Sequence, residues 1–196
     1  MDGNDKGLLP VNGRAMIEYV LDTLAPQVDE ILINANRNLE SYRQFGRPVI
    51  SDEVEDFAGP LAGMAAAIQA CESDYILSVP CDGPWVPKDL VSRLYAQLEK
   101  EGASVSTTHD GQRLQPVFTL MRRDLLPAIL AYLESGERRL GYWVKQQQPA
   151  LVDFSDQPEA FFNVNSPAEL AAAEAHLDNP SHPASASLFS AQKRKK

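Results

Sequence analysis

The sequence predicts an α/β fold of three layers around a mostly parallel sheet. Two observations carry that expectation. Short apolar runs alternate with helical patterns through the first half of the 196-residue chain, and strands separated by helices imply right-handed crossovers. Three successive runs also stop at a polar residue, Asn34, Asp52 or Asp82. Ligands of open parallel sheets bind at such carboxyl ends.

Residues 13–25 read as the first helix, because Met16, Ile17, Val20, Leu21 and Leu24 recur at the spacing of one buried face. Residues 29–34 form a strand, 38–44 a short helix, and 47–51 a second strand that ends at Asp52. An Ala-rich helix over 60–71 leads to a strand over 74–80, which Gly83, Pro84 and Pro87 prevent from continuing. Residues 87–100 follow as a helix with Pro87 in its first turn. In the second half, 103–108 and 115–121 read as strands joined across His109-Asp110-Gly111, a turn-rich connection. Residues 122–133 and 140–147 read as helices and 149–154 as extended. Ser166-Pro167-Ala168-Glu169 opens the last helix with a capping-box spacing. One domain over residues 1–178 is expected. Beyond it, residues 179–196 are rich in Pro, Ser and Ala and close on Lys193-Arg194-Lys195-Lys196, the composition of a disordered basic tail.

Composition narrows the function. A net charge of −9 argues against a general nucleic-acid binder. No apolar run approaches the roughly 20 residues that span a membrane, and the start lacks a secretion signal. Cys71 and Cys81 are too few for a disulfide framework, and reduced thiols suit a cytoplasmic protein. Cys81 has no nearby His in sequence to activate it and reads as a packing residue.

The chemistry concentrates at loops. Asp82 would stand at the rim of a cleft, where a carboxylate can take Mg²⁺ that also grips phosphate oxygens; an Asp there can equally begin a turn. Lys6, between Asp5 and Gly7, offers phosphate a point charge or is simply solvated. Asn34 and Asn36 can read a nucleobase edge or ribose, or make an Asx turn. The 59–63 segment enters a helix whose free N–H groups can help hold an anion, or it supplies small residues for close packing. Arg138 and Arg139 suit phosphate oxygens or a solvated helix face. Asn163 and Asn165 alternate on an extended segment and so share one face, with capping as the alternative role for Asn165.

Six segments recur together in order: Asp5-Lys6-Gly7-Leu8-Leu9, Asn34-Ala35-Asn36-Arg37, Gly59-Pro60-Leu61-Ala62-Gly63-Met64, Pro80-Cys81-Asp82 with Pro84 and Pro87, Gly136-Glu137-Arg138-Arg139, and Phe162-Asn163-Val164-Asn165-Ser166-Pro167. In this the chain resembles the molybdenum cofactor guanylyltransferases, within the Rossmann-like nucleotidyltransferases, over its length to about residue 177. The resemblance implies transfer of GMP from GTP to molybdopterin bearing molybdenum, with release of pyrophosphate. It implies Mg²⁺ on Asp82, nucleotide contacts from Lys6, Asn34, Asp52 and Asp82, and pterin contacts from Arg138, Arg139, Asn163 and Asn165. Lys6 and Asp82 would carry the catalysis. Implied partners are GTP and molybdopterin, with transient contacts to cofactor-biosynthesis proteins and acceptor molybdoenzymes. The other readings are a molybdenum cofactor cytidylyltransferase and a shortened, non-catalytic pterin- or nucleotide-binding protein. Family members open with a strand and a Leu-Ala-Gly-Gly loop, whereas this chain starts at what matches a later Met. The expectation is therefore an N-terminally incomplete domain with little transferase activity in the chain as it stands.

Overall fold

The structure is a computed structural model and describes residues 5–52 and 59–178. The expected tail over 179–196 and the first residues of the opening loop lie outside the described residues. Strands β1 (Pro10–Val11) and β2 (Arg14–Ala15) form a small antiparallel pair ahead of helix α1 (Met16–Leu24). The five apolar positions expected on one face of α1 are all buried. Strand β3 (Ile33–Asn34), helix α2 (Leu39–Arg43) and strand β4 (Val49–Ile50) follow, and β3 pairs with β4 in parallel. Helix α3 (Pro60–Ala70), strand β5 (Tyr75–Ser78) and helix α4 (Leu90–Glu101) complete the first half. Then come strands β6 (Val105–His109) and β7 (Leu114–Arg122), helices α5 (Leu126–Glu134) and α6 (Leu140–Gln146), strand β8 (Ala150–Asp153) and helix α7 (Pro167–Asp178).

The main sheet has the order β5-β7-β6-β8. Strand β7 is antiparallel to both β5 and β6, whereas β8 is parallel to β6. Within this sheet β7 alone runs against the others, so the expected shared direction holds for three strands and the sheet is mixed through one. The reason is local. A direct turn joins β6 to β7, with Asp110 accepting from the Gln112 and Arg113 N–H groups at 2.8 Å each. Such a short connection can join only antiparallel neighbours. The register slips between Thr107 and Thr108, opposite a segment that includes Pro116, which has no N–H for the ladder.

Alternation along the strands builds three layers. Ile76, Val105 and Met121 face α3, α5 and α6, packing with Leu61, Ile68, Ile129 and Trp143. Leu77, Phe118, Leu120 and Val152 face the other way, against Leu90, Leu94 and Leu98 of α4 and Val20 and Leu24 of α1. Ser106 and Thr108, also buried, are the polar positions of β6 on that second side. The β3–β4 pair rests on α1 through Ile17, Leu21, Ile33, Ala35 and Tyr42, with Cys81 against the same cluster. No helix among the described residues is long and apolar enough to cross a membrane.

Candidate active site

Two groups of polar side chains form where the strands end. The first surrounds Asp82, in the loop after β5. Its Oδ2 lies 3.4 Å from the Lys6 Nζ, and the side chains are 17% and 38% exposed. Lys6 also donates to Asn165 Oδ1. The segment carrying Asn163 and Asn165 is held against Asp82 through its backbone, since Val164 N donates to the Asp82 carbonyl at 2.9 Å. A Cβ at Gly83 would lie 3.1 Å from the Phe162 carbonyl and 3.4 Å from Asn163 Oδ1, so this glycine permits the close approach. At the start of α7, Glu169 Oε2 accepts from Asn165 N at 2.9 Å, and Glu169 N donates to Ser166 Oγ at 3.2 Å. Asn165 Nδ2 bonds the Asn163 carbonyl at 3.3 Å. The cap therefore falls to Ser166, and the Asn165 side chain is turned to Lys6 instead.

The second group is centred on Asp52. Asn34 Nδ2 donates to Oδ1 at 3.0 Å and Asn36 Nδ2 to Oδ2 at 2.7 Å, while Asp52 N donates to Asn36 Oδ1 at 2.9 Å. Both carboxylate oxygens are engaged, which fixes the two amides. Helix α3 closes this cradle through Gly63. A Cβ there would lie 2.5 Å from Asn34 Oδ1 and 3.4 Å from Asp52 Oδ1.

Asp5 links the two groups. Tyr42 OH donates to its Oδ1 at 2.6 Å and Asn38 Nδ2 to its Oδ2 at 3.2 Å, with Arg37 Nε at 3.6 Å. All three partners follow the Asn34–Asn36 segment, whereas Asp5 precedes Lys6. Cys81 sits beside this network. Burial, with the nearby charges of Asp82 and Asp5, pushes its thiol up to about 11. Burial and donation to Asp5 likewise hold the Tyr42 phenol far above its ordinary range. Cys81 is therefore a protonated packing residue at neutral pH, as its surroundings in sequence suggest.

The arginines bond partners close to them in sequence. Arg138 Nη1 bonds the Leu133 and Glu137 carbonyls at 2.5 and 2.9 Å. Arg139, 72% exposed, pairs with Glu137 at 3.4 Å and lies over the Tyr142 ring. A Cβ at Gly59 would come 3.7 Å from the Arg138 carbonyl, so this turn borders the start of α3. Sequence reading missed Tyr42, whose helical spacing signals only core. It also gave Gly63 and Glu169 no part in orienting site residues.

The family profile described as MobA-like NTP transferase domain matches residues 1–150. The chain belongs to this family. It is 49% identical over 167 residues to the molybdenum cofactor guanylyltransferase of Shewanella sediminis, covering 85% of each chain, and 48% identical over the same span to that of Shewanella loihica. The molybdopterin-guanine dinucleotide biosynthesis protein A of Archaeoglobus fulgidus superposes with a TM-score of 0.70 at 19% identity, over 90% of this chain and 92% of its own. The 2-C-methyl-D-erythritol 4-phosphate cytidylyltransferase of Thermus thermophilus superposes at 0.68 and 18%, over 88% and 94%. Those two structures establish a Rossmann-like nucleotidyltransferase fold.

Among the described residues no group of three or more His, Cys, Asp or Glu side chains could hold a metal alone. Mg²⁺ commonly takes one or two carboxylates, waters and substrate phosphates. Asp82, a partly exposed carboxylate in the loop after β5, fits that donor set. Asp52 fits it less well, because both its oxygens already accept amide N–H groups.

Proposed function

We propose that the chain transfers GMP from GTP to molybdopterin bearing molybdenum and releases pyrophosphate. The observation that carries this reading is the meeting of Lys6, Asp82 and Asn165, which brings a cation and a carboxylate from the nucleotide side against the C-terminal segment. The likeness to named guanylyltransferases over most of both chains supports the choice of substrates.

A molybdopterin phosphate oxygen forms a bond to the α-phosphorus of GTP, while the bond from that phosphorus to the bridging oxygen breaks and pyrophosphate leaves with the electron pair. A phosphate monoester is anionic near neutral pH, so no protein nucleophile is needed. Such transfers depend on positioning and electrostatics. The Lys6 ammonium neutralises charge on the departing pyrophosphate. Asp82 would hold Mg²⁺, which when bound screens the triphosphate charge. Asn34, fixed by Asp52, contacts the nucleoside. Asn163 and Asn165 line the pterin side, and Arg138 and Arg139 take the pterin phosphate by leaving their present local partners.

The test assays residues 1–196 beside a form extended upstream by the strand and loop that the resemblance implies. Each receives molybdenum-molybdopterin, Mg²⁺ and either GTP or CTP, and the dinucleotide product is identified by mass. GMP incorporation with one pyrophosphate per product supports the reading. CMP incorporation would make the enzyme a cytidylyltransferase, and ligand binding without product would make it a non-catalytic binder.

A further inference from the structure

Lys6 stands on a turn with little support of its own. The Lys6–Leu8 segment is a single 3₁₀ turn, and the Asp5 side chain makes no capping bond to it. A half-exposed lysine on such a turn would ordinarily sample many positions. What fixes the turn comes from elsewhere in the chain. Tyr42, buried on α2, donates its hydroxyl to Asp5 Oδ1 at 2.6 Å. The same oxygen atom of Tyr42 lies against Gly7, where an added Cβ would stand only 2.8 Å from it and 3.0 Å from Cys81 Sγ. One phenol therefore touches the residues on both sides of Lys6. Asn38 and Arg37 complete the hold on the second Asp5 oxygen.

From this arrangement we infer that Tyr42 is a positioning residue: its hydroxyl, acting through Asp5 and Gly7, sets the Lys6 ammonium at Asp82 for the nucleotide phosphates. The inference rests on the nucleotidyl-transfer reading. It differs from an ordinary core role, which the Tyr42 ring also fills beside Ile17, Leu21 and Ile33, because it assigns the function to the hydroxyl alone. Tyr42→Phe keeps the ring and removes the bond to Asp5. Asp5→Asn keeps an oxygen acceptor for Tyr42, whereas Asp5→Ala removes it.

The experiment is a double-mutant cycle on GTP affinity in Mg²⁺, by titration calorimetry, with parent, Tyr42→Phe, Lys6→Ala and the double variant. It is run on residues 1–196 and on the upstream-extended form, at a temperature where circular dichroism shows every chain folded. Misplacing a positioned group costs on the order of tenfold or more, so Tyr42→Phe should weaken GTP about tenfold when Lys6 is present. Residues that act through one another are not additive, so the same change should cost less than about twofold in the Lys6→Ala background. Asp5→Asn should retain more affinity than Asp5→Ala, and this pair carries the test if Tyr42→Phe does not fold. Equal losses in the two Lys6 backgrounds, or no loss at all, would overturn the inference. Failure of the parent to bind GTP in either form would remove the nucleotidyl-transfer reading, and this inference with it.

Discussion

Gly63 shows how one missing side chain governs a site. Its position in α3 places a would-be Cβ 2.5 Å from Asn34 Oδ1, closer than real carbon–oxygen contacts allow. The obstructing atom is the end of a flexible amide, so Gly63→Ala should fold and swing Asn34 away from Asp52. Alanine also favours the helix by up to about 1 kcal/mol, which offsets part of the crowding. The expected outcome is GTP affinity lowered on the order of ten- to a hundredfold with little change in thermal midpoint, read by calorimetry and circular dichroism on the same samples. Cys81 and Tyr42 give a second expectation at this scale. An unfolded thiol releases its proton near 9 and the folded one near 11. Between those values the folded chain retains a proton that the unfolded chain has lost, so stability falls as pH rises through the window. The raised Tyr42 phenol acts with the same sign. Thermal midpoints measured from pH 8 to 11 should decline, and Cys81→Ser should flatten the lower part of the decline.

At the scale of elements, helix α7 follows the C-terminal segment that is held against the loop carrying Asp82. Ser166 and Glu169 cap it while fixing the Asn165 backbone, and Ala173 packs with Val11, Met16 and Phe162. Replacing Ser166 by Ala should cost about 1 kcal/mol, measurable by urea denaturation, and should loosen Asn165 from Lys6. Element type was largely legible in the sequence, because the apolar spacing of α1 and α4 and the punctuation around β5 report local geometry. Apart from β7, the strands proved shorter than the runs that announced them: β3 keeps Ile33 and Asn34 of a run begun at residue 29. Pairing was less legible. The turn-rich connection at Asp110 that reverses β7 was read in the sequence, but the register slip opposite the Pro116 segment was not, because hydrophobic periodicity does not carry it. The site shows the same division. Rim position pointed to Asn34, Asp52 and Asp82, and the structure joins the first two directly. Lys6 meets Asp82 because residues 5–9 and 80–82 pack around Tyr42, a contact made across distant parts of the chain.

For the whole molecule, a chain of net charge −9 must assemble a site for a polyanion from a few local groups. The three-layer fold does so by placing Asp82 in the loop after β5, resting the β3–β4 pair on α1, and holding the C-terminal segment against Asp82. Lys6 is then the cation held at the junction by Asp82 and Asn165. If transfer depends on that arrangement, the carboxylate is indispensable, whereas the fold does not need its charge. The direct measurement is pyrophosphate release from GTP with molybdenum-molybdopterin and Mg²⁺, comparing parent and Asp82→Asn in residues 1–196 and in the upstream-extended form alike. The account predicts a rate lower by on the order of 10²–10³ with an unchanged thermal midpoint. A rate within about threefold of the parent, far short of that loss, would contradict it.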